Sequence, residues 1–275
     1  RQPDPRARHM TGGIIRVAVQ AVELRGPGLP NWLVARPVLA GVAPYQPAPI
    51  VLSPPPHLSP AERRRAIPSV NLALAIGVAA VEQSGHDPRT VPAVFASSGA
   101  DGETISAILA ALVTPAREVS PTRFHNSVHN APSGYWGIAT QSRQPVTSLS
   151  CYDASFAAGL LEACVQAVSG GPTLLVAYDL PYPEPLHSAR PIDASFGAAL
   201  VLSPERSNRT LVELTIRIAG CGEATGCIDP DLEALRRGNP AARSLPLLSL
   251  LAARSTGEVS VALSHGLLEI GVVPC

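Results

Sequence analysis

The chain has 275 residues and a mass of 28.5 kDa, with 46% apolar and 15% charged residues, which excludes a disordered chain and allows one large buried core. Its 21 basic residues balance 21 acidic ones at a pI near 7.2, so no bulk attraction to nucleic acid or to an anionic membrane surface is implied. Every basic residue is arginine, which excludes Schiff-base and other lysine chemistry.

Residues 1–10 lack an apolar signal region and read as a vector-derived leader ahead of a natural Met10. Ile14 to Leu24 alternates apolar and polar residues and predicts a strand. Gly26 to Pro60, rich in proline and glycine, predicts a long irregular segment. Ser59-Pro60-Ala61-Glu62 is a helix-start signature, followed by Arg63, Arg64 and Arg65, either a solvated helix face or a docking patch for an acidic partner. Val70 to Gln83 predicts a buried helix ended by Gly85-His86-Asp87-Pro88. A short buried strand (Ala93 to Ser97), a turn (Gly99 to Gly102) and a helix (Glu103 to Val113) come next.

The most informative stretch runs from Phe124 to Ala163. A polar segment with two histidines leads into a helix-like run, then a short strand (Val146 to Leu149), a polar corner (Ser150 to Ser155) and a small-residue helix (Phe156 to Val168). Beyond it lie strands at Thr173 to Tyr178, Ser195 to Leu202 and Leu211 to Ala219, the first two separated by a proline-rich loop, Pro181 to Pro191. Helices near Pro230–Arg237 and Leu245–Ala253 and a closing hairpin (Glu258–Leu263, Leu267–Val273) complete the chain. Buried strands alternating with helices predict an α/β fold, a parallel or mixed sheet covered on both faces, in a single domain over residues 11–275.

A strand that turns sharply into a helix exposes one side chain beside free helix N–H groups, a setting that favours chemistry. Cys151 in this corner is a candidate nucleophile, with His125 or His129 as its base. Asp153 reads as the helix N-cap or as a site carboxylate, with the cap favoured by spacing. His125 and His129 stand four apart and share a face if helical, but no third ligand accompanies them, so no metal is expected. No cofactor is expected either, since no P-loop or G-x-G-x-x-G is present. Five cysteines without a C-x-x-C pair favour a reduced, cytoplasmic protein, and no apolar run reaches the ~18 residues of a membrane span.

From Ser59 to Pro204 the chain resembles the N-terminal half of the β-ketoacyl synthases, condensing enzymes of the thiolase fold. The resemblance rests on Arg64-Arg65 through Leu72-Ala73-Leu74-Ala75, on Asn130-Ala131-Pro132-Ser133-Gly134, and on Gly197-Ala198-Ala199-Leu200-Val201-Leu202. Three further runs, at 127–131, 155–163 and 176–179, are similar to the β-ketoacyl synthase N-terminal-like proteins of aryl polyene and xanthomonadin-type clusters.

The resemblance implies a thiolase-like fold with a shortened C-terminal portion. Counting from Gly134 and back from Glu162, it puts the family's nucleophile position at Asp153, and a carboxylate cannot hold an acyl chain as a thioester. The histidines and lysine of the family's second half have no counterpart, since only about 70 residues follow Pro204 and none is lysine. It therefore implies a non-catalytic, chain-length-factor-like subunit of a heterodimeric ketosynthase, serving chain assembly on an acyl carrier protein. Phe124, His125, His129, Asp153 and Phe156 would be its pocket or interface groups, and the isolated chain would form a homodimer if it self-associates. The alternative is a stand-alone acyltransferase or thioesterase built on Cys151.

Overall fold

A computed structural model of the chain describes residues 10–11, 13–220 and 222–275. Residues 1–9, which carry most of the expected leader, and Cys221 lie outside the described residues.

The chain opens with β1 (Met10–Thr11) and the long β2 (Ile14–Arg25). Glu23 is buried in β2, yet satisfied: Oε1 accepts from the N–H of Leu24 and of Trp32, and Oε2 accepts from Gln83 Nε2. That carboxylate anchors the start of α1 (Trp32–Leu39), a helix within the segment expected to be irregular throughout. Asn31 caps it by accepting from Val34 N–H at 2.9 Å, and Pro37 inside it hides the helical signal from composition. Ser59 caps α2 (Pro60–Arg65) as its signature requires. The buried α3 (Pro68–Ser84) ends at Gly85, whose φ of 72° is the left-handed stop that glycine accepts without strain.

Then follow β3 (Ala93–Ala96), α4 (Gly102–Leu112), α5 (Pro121–Asn126), α6 (Ala131–Thr140), β4 (Val146–Leu149) and α7 (Ser155–Gly170). The second half holds β5 (Thr173–Asp179), the single turn α8 (Leu186–Ala189), β6 (Phe196–Ser203), β7 (Val212–Ala219), α9 (Pro230–Gly238), α10 (Leu245–Ala253), β8 (Gly257–Ala262) and β9 (Leu267–Pro274). The one-turn α8 interrupts the loop expected from Pro181 to Pro191.

Among the described residues all strands join one mixed sheet in the order β4-β3-β5-β6-β2-β7-β9-β8, with β1 on β2. β4, β3 and β5 are parallel, and β6 runs antiparallel between β5 and β2. One face packs against α3 and α6, through Leu72, Ile76, Phe95, Trp136 and Val176. The other packs against α7 and α10, through Val94, Leu160, Leu175, Leu200 and Leu248. Over β7, β9 and β8 the expected cover on both faces gives way to cover on one. There Arg217 pairs with Glu269 and Glu258 on the solvent side, where charge is cheap to keep hydrated.

The two sheet edges differ. Thr225 pairs with Ser260 on the outer edge of β8, its N–H donating to Ser260 O and its Oγ1 accepting from Ser260 N. The outer edge of β4 has no backbone partner among the described residues. α6 and α7 flank it, held by Ser148 Oγ to Ser133 Oγ and by Gln166 Nε2 to Thr147 Oγ1.

Candidate functional site

The corner after β4 is built by a left-handed residue. Tyr152 has a φ of 53°, a conformation disfavoured for a side chain of its size, and Ser155 holds it there. The Ser155 hydroxyl accepts from Cys151 N–H at 2.9 Å and donates to Tyr152 O at 2.7 Å. A 3-10 turn over Tyr152–Ala154 then feeds α7.

Asp153 is not the cap of α7; the cap position falls to Ala154, which has no side-chain acceptor. Its carboxylate is instead held by two arginines brought from later in the chain. Arg190 Nη1 lies 2.7 Å from Oδ1, and Arg243 Nη2 donates to Oδ2 at 2.8 Å. The Arg190 guanidinium also stacks over the Tyr152 ring, 3.6 Å from its centre. The corner thus presents a carboxylate paired with two guanidinium groups and an aromatic face. Asp153→Ala leaves two partly buried guanidinium groups without their anion, while the carboxylate itself is over a third exposed. We expect a loss of about 1–2 kcal/mol, read as a lower urea midpoint with unchanged slope.

The remaining predicted residues separate. His125 and His129 do not share a helix face, because α5 ends at Asn126. His125 packs edge-on to Tyr135, with ring centres 6.5 Å apart, and His129 Nε2 lies 3.1 Å from Ser97 O. No hydrogen bond joins either ring to the Cys151 thiol among the described residues. Phe124 and His125 line a surface groove of about 400 Å³ with Val128, Tyr135 and Ile138. Phe156 is a correction: at 1% exposure it is a core residue on the α7 side of the sheet, neither pocket nor interface.

One part of the site was not anticipated from sequence. Asp179 ends β5, and its Oδ1 accepts from Ser98 N, Ser98 Oγ and Ser97 Oγ, at 2.8, 2.6 and 3.2 Å. Burial pushes its carboxyl up to about 6, against the pull of those hydrogen bonds and of the Arg190 charge. The available signal was a carboxylate closing the otherwise apolar run Thr173–Tyr178, at the C-terminal end of a parallel strand, where α/β sheets place ligands. Arg190 and Arg243 gave no comparable signal, because their roles depend on pairings across many residues of chain.

A family model described as the β-ketoacyl synthase N-terminal domain matches residues 37–228. The chain belongs to this family. Among solved structures, a chain of the complex between the ketosynthase ApeO and its chain length factor ApeC from Xenorhabdus doucetiae is 20% identical. Its TM-score is 0.71, covering 94% of this chain and 99% of that one. A chain of the AntDE:AntF complex, a type II PKS acyl carrier protein with its ketosynthase bound to the hexaketide, is 12% identical at the same TM-score and coverage. A β-ketoacyl synthase from Burkholderia phymatum STM815 is 14% identical with a TM-score of 0.56, over 83% of this chain and 70% of that one. No curated protein sequence matches.

At these identities the likeness establishes the fold, a thiolase-like condensing-enzyme fold. The corner at 151–155 lies at the place where the family resemblance puts the nucleophile. Among the described residues no helix is long and apolar enough to cross a membrane.

Proposed function

We propose that this β-ketoacyl synthase family member is a non-catalytic, chain-length-factor-like subunit that pairs with an active ketosynthase during polyene or polyketide-like chain assembly on an acyl carrier protein. The observation that carries the reading is the corner itself. Asp153 is clamped by Arg190 and Arg243, and among the described residues no hydrogen-bonded base accompanies Cys151. A cysteine activated by a general base needs that base within about 3 Å.

The partner-facing surface in this reading is the open edge of β4 with the apolar groups around it. Ile138, Val146 and Val165 are exposed on α6, β4 and α7, and Phe124 and Val128, exposed on α5 and the turn after it, share a groove with Ile138. A sheet edge bordered by apolar side chains is a surface that a second sheet of the same fold can extend. The similarity to chains of ketosynthase complexes, over nearly their whole length, supports the same reading.

The test is native mass spectrometry of this chain alone and mixed with an active ketosynthase from the same genome, after loading with acyl groups. A one-to-one complex with adducts only on the ketosynthase is the expected result. A stable acyl adduct on Cys151 of this chain would overturn the proposal in favour of an acyltransferase or thioesterase.

The exposed arginines of α2 fit the acidic surface of an acyl carrier protein in this scheme. Arg63→Glu with Arg64→Glu is expected to weaken carrier binding to the complex by roughly tenfold at low salt, mostly through slower association, measured by stopped-flow fluorescence.

A further inference from the structure

Residues 181–191, between β5 and β6, are tied to the rest of the protein by side chains. Among the described residues their backbone groups bond only within the segment, His187 N–H to Pro183 O and Arg190 N–H to Leu186 O and His187 O. Pro181, Pro183, Pro185 and Pro191 have no N–H to offer. No residue of the segment is buried. The ends on either side are fixed. Asp179 and Phe196 face one another in the sheet, and Asn239 Nδ2 donates to both Asp179 O and Ala194 O, at 3.0 and 2.8 Å. Ile192 is buried, and Asp193 N–H donates to Gly238 O. A segment with close, fixed ends, no buried residue and no backbone tether opens more easily than the strands that carry it.

Two side chains hold the segment down, one near each end. Tyr182 lays its ring on the turn after β3. A Cβ at Gly102 would run into that ring, and one at Gly99 into its hydroxyl, so the two glycines are what let it lie there. Tyr182 also walls a cavity of about 20 Å³ with Ser69, Ser97, Asp101 and Asp179. At the other end Arg190 pairs with Asp153 at 2.7 Å and stacks on the Tyr152 ring at 3.6 Å.

We propose that residues 181–191 form a flap that opens as one body, latched by Tyr182 on the glycine turn and by Arg190 on the corner. Opening lifts Tyr182 off the cavity that Asp101 and Asp179 line. At the same time it uncovers the Tyr152 ring and leaves Asp153 to Arg243 alone. The corner and the turn after β3 are in this way switched together. The flap is a property of this chain and does not rest on the ketosynthase reading.

The test uses the full chain with its five tyrosines replaced by 3-fluorotyrosine, each fluorine NMR signal assigned by a Tyr→Phe variant. Relaxation dispersion in the microsecond-to-millisecond range is expected at Tyr152 and Tyr182 with one shared rate, and not at Tyr45 or Tyr135. Asp153→Asn removes the charge that holds Arg190. It is expected to raise the open population about tenfold at both tyrosines. Dispersion at neither tyrosine, or at two different rates, overturns the proposal. So does an Asp153→Asn chain in which the Tyr152 signal changes and the Tyr182 signal does not. If Asp153→Asn does not fold, the dispersion of the unaltered chain still decides.

Discussion

Ile138→Asp combined with Val146→Asp is expected to abolish the one-to-one complex with the ketosynthase, raising its dissociation constant at least ~100-fold, while the isolated chain keeps its Tm. Ile138 is half-exposed on α6, and Val146 opens the edge strand β4 at 36% exposure. Neither belongs to the core of the monomer, so a carboxylate at either position remains hydrated until a partner covers it. Docking would then bury two charges without counterions, which costs several kcal/mol. The result would be read by analytical ultracentrifugation of the mixture, beside a melt of the variant alone. A complex of unchanged affinity would place the ketosynthase contact elsewhere. A large fall in Tm would instead mean that these residues serve the monomer.

Trp136→Ala is expected to lower stability by about 3–5 kcal/mol and Tm by roughly 10 °C. Trp136 is fully buried where α6 meets α3 and the sheet. Gly77 of α3 leaves it room: a Cβ there would stand 3.2 Å from the indole. On its other side Phe95 packs at 6.1 Å with the rings tilted by 59°. Truncation leaves a cavity bounded by two regular elements that cannot collapse into it without moving α6 off β4. The loss of Tm should therefore be accompanied by weaker partner binding, a coupling that distinguishes Trp136 from core residues on the α7 side such as Leu160. Thermal denaturation and the ultracentrifuge assay together check both halves.

Most strands and long helices were legible in the sequence because each carries its own signal. β5 is an unbroken apolar run, α3 has a proline start and a glycine stop, and α2 shows its capping serine. α1 was not legible. Its cap, Asn31, is followed by a proline inside the helix, and its start is fixed by Glu23, a residue of the preceding strand whose buried role no local pattern announces. The corner at 151–155 was legible as a corner, since small polar residues join a strand to a helix there. Its chemistry was not. Spacing favoured Asp153 as a cap, and the arginines that claim it lie 37 and 90 residues further along. The pairing of His125 with His129 failed for a local reason: the proline-started α5 stops after six residues, before the second ring can come round to the same side.

The unequal edges of the sheet set a rule for how this protein can be made in a cell. β8 is met at Ser260 by Thr225 of its own chain, whereas among the described residues the outer edge of β4 has no strand partner and lies next to apolar side chains. In the proposed heterodimer, any molecule synthesised in excess of its companion keeps that edge open, and like edges template one another into aggregates. On that proposal, balanced dosage of the two polypeptides favours solubility. Expression of this chain alone should yield inclusion bodies at levels where co-expression yields soluble protein.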